Sequence, residues 1–248
     1  MKTPRKIVLL GATKGMGRAL SRVLSARGDL LFLLGRDEED LAKTQADCAV
    51  TGSEPVGFAL CDLEDPTGFD AALGAADLAL GGFDTVIVTA GMFATQDALE
   101  RDPVLAARVL TVNFTNTVVF CEFARKMLLA RGGGALCVFS SVAGERGRKP
   151  IVIYGASKAG LSQYLEGLDH KFRASGLRVL TVKPGFVHTG MTEGLKAPPF
   201  AGEPEDVART VVHAIDAGKA VVYAPMPWAP IMAVIRALPR FVMRKVGF

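Results

Sequence analysis

The chain has 248 residues, half of them apolar and 22% charged, enough to bury one large core and unlike a disordered or repeat-built polymer. Basic residues exceed acidic ones by a net +4, too mild an excess to point to nucleic acid, so no nucleic-acid partner is expected. No Pro-, Gly- or Ser-rich linker divides the sequence, and a single domain is expected.

In chain order, seven short apolar runs read as strands: 7–10, 30–34, 56–60, 86–89, 136–139, 179–182 and 221–223. Between and after them, segments of helical period are expected near 15–27, 38–50, 67–80, 104–131, 152–174, 204–217 and 230–245. Apolar runs without alternation belong to strands covered on both faces, and strands separated by helices belong to parallel sheets. The expected fold is therefore α/β, a Rossmann-type doubly wound parallel sheet of about seven strands in one domain. Asp37 precedes Glu38, Glu39 and Asp40 as a helix cap would, with acids in the first turn where the helix dipole favours them. The glycine- and proline-containing stretch 186–202 follows the sixth strand and reads as one long irregular loop, a substrate lid.

Cys48, Cys61, Cys121 and Cys137 contain no C-x-x-C pair, and no histidine stands at metal-ligand spacing from them. Neither a metal site nor a disulfide framework is expected, and a reducing, cytoplasmic compartment suits the chain. Residues after Met1 lack the long apolar core and cleavage site of a secretory signal. The apolar run 220–235 is interrupted by Pro225, Pro227 and Pro230, and is too short and broken to span a bilayer.

Directly after the first strand comes Gly11-Ala12-Thr13-Lys14-Gly15-Met16-Gly17, followed by a helical pattern. A strand, a tight glycine turn and a helix start together present backbone amides to a pyrophosphate. The G-x-x-x-G-x-G spacing lacks the Lys-Ser/Thr ending of a triphosphate-binding loop, which disfavours a nucleotide hydrolase. The second strand ends in Leu34-Gly35-Arg36. Arg36 can fork onto a 2′-phosphate and Lys14 can reach the same region, which favours NADP(H) over NAD(H). Asp37 is the competing reading, as an acid for the ribose 2′-hydroxyl, and Asp62 after the third strand is either an adenine acceptor or a turn residue.

Tyr154-Gly155-Ala156-Ser157-Lys158 puts a phenol and an ammonium on one helix face. A fixed cation beside a phenol favours the phenolate and so lowers its pKa, which makes the pair useful for proton transfer. Ser141 precedes Tyr154 at the end of the fifth strand, and Asn113 lies in the helix before that.

The ordered set Gly11/Gly15/Gly17, Ala90-Gly91, Asn113, Ser141, Tyr154-x-x-x-Lys158 and Pro184-Gly185 with Thr189 resembles the short-chain dehydrogenases/reductases along nearly the whole chain. The resemblance implies Tyr154 as proton donor or acceptor, Lys158 on the nicotinamide ribose, Ser141 polarising a carbonyl and Asn113 holding a relay water. It implies cofactor contacts from Gly11, Thr13, Lys14, Gly15, Met16, Gly17, Arg36, Asp62, Leu63, Ala90, Gly91, Tyr154, Lys158, Pro184, Gly185, Val187 and Thr189. Two departures stand out: Leu10 where the family often has Thr, and Thr89 where it often has Asn, both at positions that brace the loops under the cofactor. The expected activity is hydride transfer between NADP(H) and a ketone or secondary alcohol by a homodimer or homotetramer. The rival from another class is a non-catalytic dinucleotide-sensing module.

Within the family, Ser140 to Arg146, Lys183 to Met191 and the ending with Trp228, Arg236, Pro239, Arg240 and Arg244 resemble a subgroup. It includes decaprenylphosphoryl keto-pentose (2-keto-ribose) reductase, which implies a lipid-linked carbonyl substrate as one possibility beside a small soluble ketone. Residues 228–248 carry arginines every four residues and no acid. Such a segment either lies on an anionic membrane face, or closes over the substrate site or against another subunit. Pro239 breaks or kinks it in each case. Glu145 and Arg146 either line the substrate mouth or form a turn, and His188 on the lid is a substrate contact or a surface residue.

Overall fold

The computed structural model describes residues 3–53 and 55–247. Seven parallel strands form one sheet in the order β3-β2-β1-β4-β5-β6-β7. They are β1 Lys6–Leu10, β2 Leu30–Gly35, β3 Gly57–Leu60, β4 Thr85–Val88, β5 Gly134–Phe139, β6 Leu177–Pro184 and β7 Val221–Ala224. All seven expected strands are present. Each parallel connection needs a crossover, and the helices supplying it cover both faces.

The pleat explains why these runs are apolar without alternation. Ile7 and Leu9 point into a core shared with helices α1 (Gly15–Ala26), α2 (Glu38–Thr51) and α8 (Pro204–Asp216). Val8 and Leu10 point into a second core with α3 (Phe69–Leu80), α6 (Asn116–Ala130) and α7 (Val152–Phe172). All four strand residues are fully buried, so neither face of β1 can carry a polar side chain without an unmet desolvation cost.

Two expected helices differ from the sequence reading. The segment expected as one helix over 104–131 is α5 (Pro103–Leu110), a π-turn over Thr111–Thr115 and α6. The hydroxyl of Thr117 donates to the Val112 carbonyl at 2.7 Å and so occupies an acceptor displaced by the wider turn. The segment expected over 230–245 is α9 (Trp228–Ala237) and α10 (Arg240–Lys245), divided where Leu238 is extended before Pro239. Between β4 and α5 lies a short α4 (Gln96–Arg101), unanticipated because its capping Thr95 precedes only six helical residues. Asp37 caps α2 as expected, accepting from the Asp40 amide at 2.8 Å.

The β1 to α1 turn and the β4 end are tied together. Thr89 donates from its hydroxyl to the carbonyls of Leu10 and Gly11 at 3.1 and 3.0 Å. The side chain that departs from the family pattern thus supplies the brace itself.

Candidate active site

Tyr154, Ser157 and Lys158 lie on the first turns of α7, which packs on the turn leaving β5. That approach is close: a Cβ on Gly144 would stand 2.6 Å from the Ala159 amide, so no other residue fits there. The Ser140 hydroxyl donates to the Lys158 carbonyl at 2.9 Å and pins the turn to the helix. Neighbouring Ser141 accepts from the Ala143 amide at 3.1 Å, which orients its hydroxyl at the end of β5.

Asn113 sits inside the π-turn and is fully buried. Its side-chain amide clasps the Met92 backbone on both sides, accepting from the amide and donating to the carbonyl at 2.7 Å each. Lys158 is buried, and its ammonium donates to the Phe139 carbonyl at 3.0 Å. An ammonium has three donors. A Cβ on Gly91 would stand 3.1 Å from Asn113 Oδ1 and 3.6 Å from Lys158 Nζ, so the absent side chain keeps a channel open to both groups.

Burial dominates the titration of the pair. It pushes the Tyr154 phenol up to about 12, against the pull of its hydrogen bond with Ser141, and pushes Lys158 down to about 8. The expected lowering of the phenol by the lysine is therefore not what this geometry gives. Lys158 Nζ lies 6.0 Å from the Tyr154 ring centre and bonds elsewhere, and loss of hydration outweighs attraction at that separation.

Two cavities adjoin through Met191 in their walls; Ser141 and Tyr154 line the second, whereas Asn113 and Lys158 line neither. The first is a groove of about 200 Å³ lined by Gly11, Thr13, Lys14, Gly35, Arg36, Asp62, Leu63, Ala90 and Gly91, among others. The Asn116 amide donates to the Leu63 carbonyl at 2.7 Å and fixes that wall. Lys14 pairs with Asp40 at 2.9 Å, whereas Arg36 is exposed at the lip without a close ion pair among the described residues. It is close enough for its charge to add to the bond from Arg108 in lowering the Glu64 pKa. Asp62 accepts from the Glu64 amide at 2.9 Å as a turn residue does.

The second cavity, about 550 Å³, is lined by Met16, Ser141, Tyr154, Pro184, Gly185, Val187 and Thr189 together with apolar side chains from 186–200 and α9. Phe93 meets the Tyr154 ring edge-on at 5.2 Å. The loop 186–202 is irregular apart from one helical turn at Gly190–Thr192, and a bridge between Val187 and Gly202 closes its base. Trp228 donates to the Phe200 carbonyl at 3.2 Å and ties the loop to α9.

Helix α9 of the C-terminal segment walls this cavity. Ile231 and Ile235 enter its wall, while Arg146 and Lys149 donate to the Leu238 and Arg244 carbonyls at 2.7 Å each. Glu145 is buried and accepts from Lys183 and Tyr223 at 2.7 and 2.6 Å, so it joins three elements and does not line the mouth. His188 stacks edge-on against Phe186 and stays half-exposed. Phe93, Trp228, Asn116 and Arg148 were not anticipated as site residues. Among them Asn116 has a sequence signal, as an amide within a helical run, and Trp228 stands in the ending that carries the subgroup resemblance.

A family model described as short chain dehydrogenase matches residues 5–199. The chain belongs to the short-chain dehydrogenase/reductase family. It is 34% identical to an uncharacterized oxidoreductase of Streptomyces coelicolor, over 98% of this chain and 96% of the relative. An uncharacterized oxidoreductase of Mycobacterium tuberculosis is 31% identical over 97% and 96%, and carbonyl reductase family member 4 of Xenopus tropicalis 30% identical over 84% and 89%. Among solved structures, a variant of actinorhodin polyketide ketoreductase crystallised with NADPH superposes with a TM-score of 0.81 at 24% identity, covering 90% of this chain and 97% of that one. A short-chain type dehydrogenase/reductase from Mycobacterium ulcerans gives 0.83 at 20% identity, over 90% and 89%. As a member of this family the chain is an NAD(P)-dependent oxidoreductase acting between a carbonyl and the corresponding alcohol.

Proposed function

We propose that this chain is an NADP(H)-dependent reductase of a ketone borne on an apolar carrier, with a lipid-linked keto-sugar the reading its subgroup resemblance favours. The observation that carries it is the meeting of Tyr154 and Ser141 with a 550 Å³ apolar cavity beside the glycine-walled groove. A volume of that order suits a ligand larger than a simple ketone. The groove fits the dinucleotide: Gly11 has a φ of 89°, and a Cβ there would stand 2.6 Å from the Thr89 hydroxyl, so the backbone alone faces the phosphates. When bound, the dinucleotide supplies or accepts the hydride. Ser141 donates to the substrate carbonyl, Tyr154 gives the proton to the forming alkoxide, and Lys158 turns its remaining donors to the ribose. Asn113, its side chain held by Met92, keeps the π-turn open for a relay water. The loop 186–202 acts as the lid.

The unpaired Arg36 at the lip supports NADP(H), and Asp37 is already engaged as a cap. NADPH is expected to bind tighter than NADH, and Arg36→Ala to weaken NADPH about 10-fold or more while leaving NADH unchanged. Equilibrium titration of both reduced cofactors checks this. NADH binding as tightly as NADPH would return Asp37 to the ribose. The dinucleotide-sensing alternative loses ground because Asn113, Ser141, Tyr154 and Lys158 are all retained. A ketone screen with NADPH oxidation as the readout separates the two, and turnover of small soluble ketones alone would favour a general ketone reductase.

The four cysteines are free and buried, which supports a cytoplasmic site. A homo-oligomer is proposed because α5, the π-turn and α7 leave Val104, Leu110, Phe114 and Val152 exposed. Contact with the inner membrane face is a second reading, favoured by Val234 and Phe241, exposed at 64% and 66% near Arg240 and Arg244. Since α9 also walls the cavity, the discriminating variant is Val234→Ser/Phe241→Ser and not a deletion. Sedimentation is expected to give more than one copy, and flotation with anionic vesicles is expected for the parent chain but not the double variant. A monomer, or a chain that stays down at low salt, would remove the corresponding proposal.

A further inference from the structure

Arg148 is the charged side chain in the wall of the 550 Å³ cavity, the other lining groups among the described residues being apolar or neutral. Its Nε is sealed from solvent with no hydrogen-bond partner. No carboxylate among the described residues pairs with it. Glu145, three residues earlier, lines a different cavity, where its Oε1 takes Lys183, Tyr223 and, at 3.6 Å, Arg236, and its Oε2 is itself sealed without a hydrogen-bond partner. The flanking basic residues have structural partners: Arg146 and Lys149 hold the C-terminal segment through the Leu238 and Arg244 carbonyls. Only Arg148 of these three is left facing the cavity.

Burial lowers the Arg148 pKa, yet a guanidinium remains charged at neutral pH. Arg148 is half-buried and only its Nε is sealed. A cation without a paired carboxylate beside an apolar wall gains from an anionic ligand that its accessible guanidinium nitrogens can reach. A guanidinium offers a planar fork of donors that matches a carboxylate or a phosphate. The surrounding Phe93, Ile151, Met191, Phe200, Ile231 and Ile235 suit hydrocarbon.

We propose that Arg148 anchors an anionic group of the substrate, a carboxylate or a phosphate, so that the preferred substrate is an apolar ketone carrying a negative charge apart from its carbonyl. The proposal rests on reading this cavity as the substrate site. It extends that reading by naming a specificity-determining residue.

Trp228 is the one tryptophan of the chain and lines the same cavity, so its fluorescence reports occupancy whether or not turnover occurs. Decyl phosphate, decanoate and decanol, each below its aggregation threshold, are titrated into the parent chain, Arg148→Met and Arg148→Lys. The expected result is that at least one anion binds the parent chain about 10- to 100-fold tighter than decanol, a range typical of charge-assisted hydrogen bonding. Arg148→Met is expected to erase that preference with decanol affinity unchanged, and Arg148→Lys to keep part of it. The stronger of the two anions identifies the headgroup chemistry. Thermal unfolding guards against a structural role: with no hydrogen bond to lose, Arg148→Met should melt at or above the parent temperature. Equal binding of all three probes, a preference that survives in Arg148→Met, or a drop of about 5 °C in its melting temperature would each overturn the anchor. In those cases the reductase reading would stand. Silence from every probe would remove the cavity as a ligand site, and the anchor and the apolar-carrier reading with it.

Discussion

Tyr154→Phe is expected to lower turnover of a ketone substrate by about 10²- to 10⁴-fold, the usual contribution of a positioned proton donor, while leaving NADPH affinity unchanged. The ring is held by its edge-on contact with Phe93 at 5.2 Å and is half-buried at the start of α7. Removing the hydroxyl therefore removes the acid and keeps the shape. The phenol is protonated throughout the neutral range, because burial raises it to about 12. The pH dependence of reduction should come instead from Lys158, which burial lowers to about 8. A lowered lysine loses its charge earlier than usual as pH rises, so reduction should be flat below about pH 7, halve near pH 8 and decline further above it as the ammonium proposed to steady the ribose disappears. Stopped-flow single turnovers across pH, with Lys158→Met alongside, check both parts. Wild-type rates in Tyr154→Phe would refute the assigned donor, and an undiminished rate to pH 10 would remove Lys158 from the reacting form.

Gly17→Ala is expected to destabilise the chain by about 3 kcal/mol or more and to abolish measurable cofactor binding, because it forces backbone apart at the phosphate turn. A Cβ on Gly17 would fall inside the Gly11 carbonyl oxygen and stand 2.6 Å from the Thr89 hydroxyl. Neither neighbour can yield cheaply, since Thr89 already bonds the Leu10 and Gly11 carbonyls. Gly68→Ala is the control, with a φ of −84° and nothing within 4 Å of the added carbon. Chemical denaturation and NADPH titration of both variants test the contrast. A Gly17→Ala chain that binds NADPH normally would show that α1 and β4 can separate without harm.

The contrast between these two sites shows what a linear reading reaches. Glycines directly after an apolar run, or a tyrosine and a lysine one helical turn apart, are local patterns, and local patterns survive in sequence because strand and helix periods are set by backbone geometry. The same reading took 104–131 as one helix. Nothing in an apolar run of helical period reveals that Thr111–Thr115 widens into a π-turn, since that turn is held by Asn113 reaching Met92 and Asn116 reaching Leu63, 21 and 53 residues away. Thr89 read as a departure from a family pattern, and only the fold shows its hydroxyl bridging 79 residues back to Leu10.

By itself the sequence determined the doubly wound sheet, the glycine turn at the head of α1, the Asp37 cap and the order of Asn113, Ser141, Tyr154 and Lys158, because each depends on spacing along one element or on burial of a whole strand. Tertiary structure decided the direction in which Tyr154 and Lys158 shift, the phenol up and the ammonium down, because loss of water around them outweighs their four-residue proximity. It also brought the first part of the arginine-rich ending against the cavity. The same residues suit a membrane or a cavity wall by composition; Ile231 and Ile235 enter the cavity wall and the Leu238 and Arg244 carbonyls accept from Arg146 and Lys149, while Val234, Arg240, Phe241 and Arg244 stay exposed. Which of three neighbouring basic side chains remained unpaired depended on those contacts, and that choice left Arg148 facing the cavity.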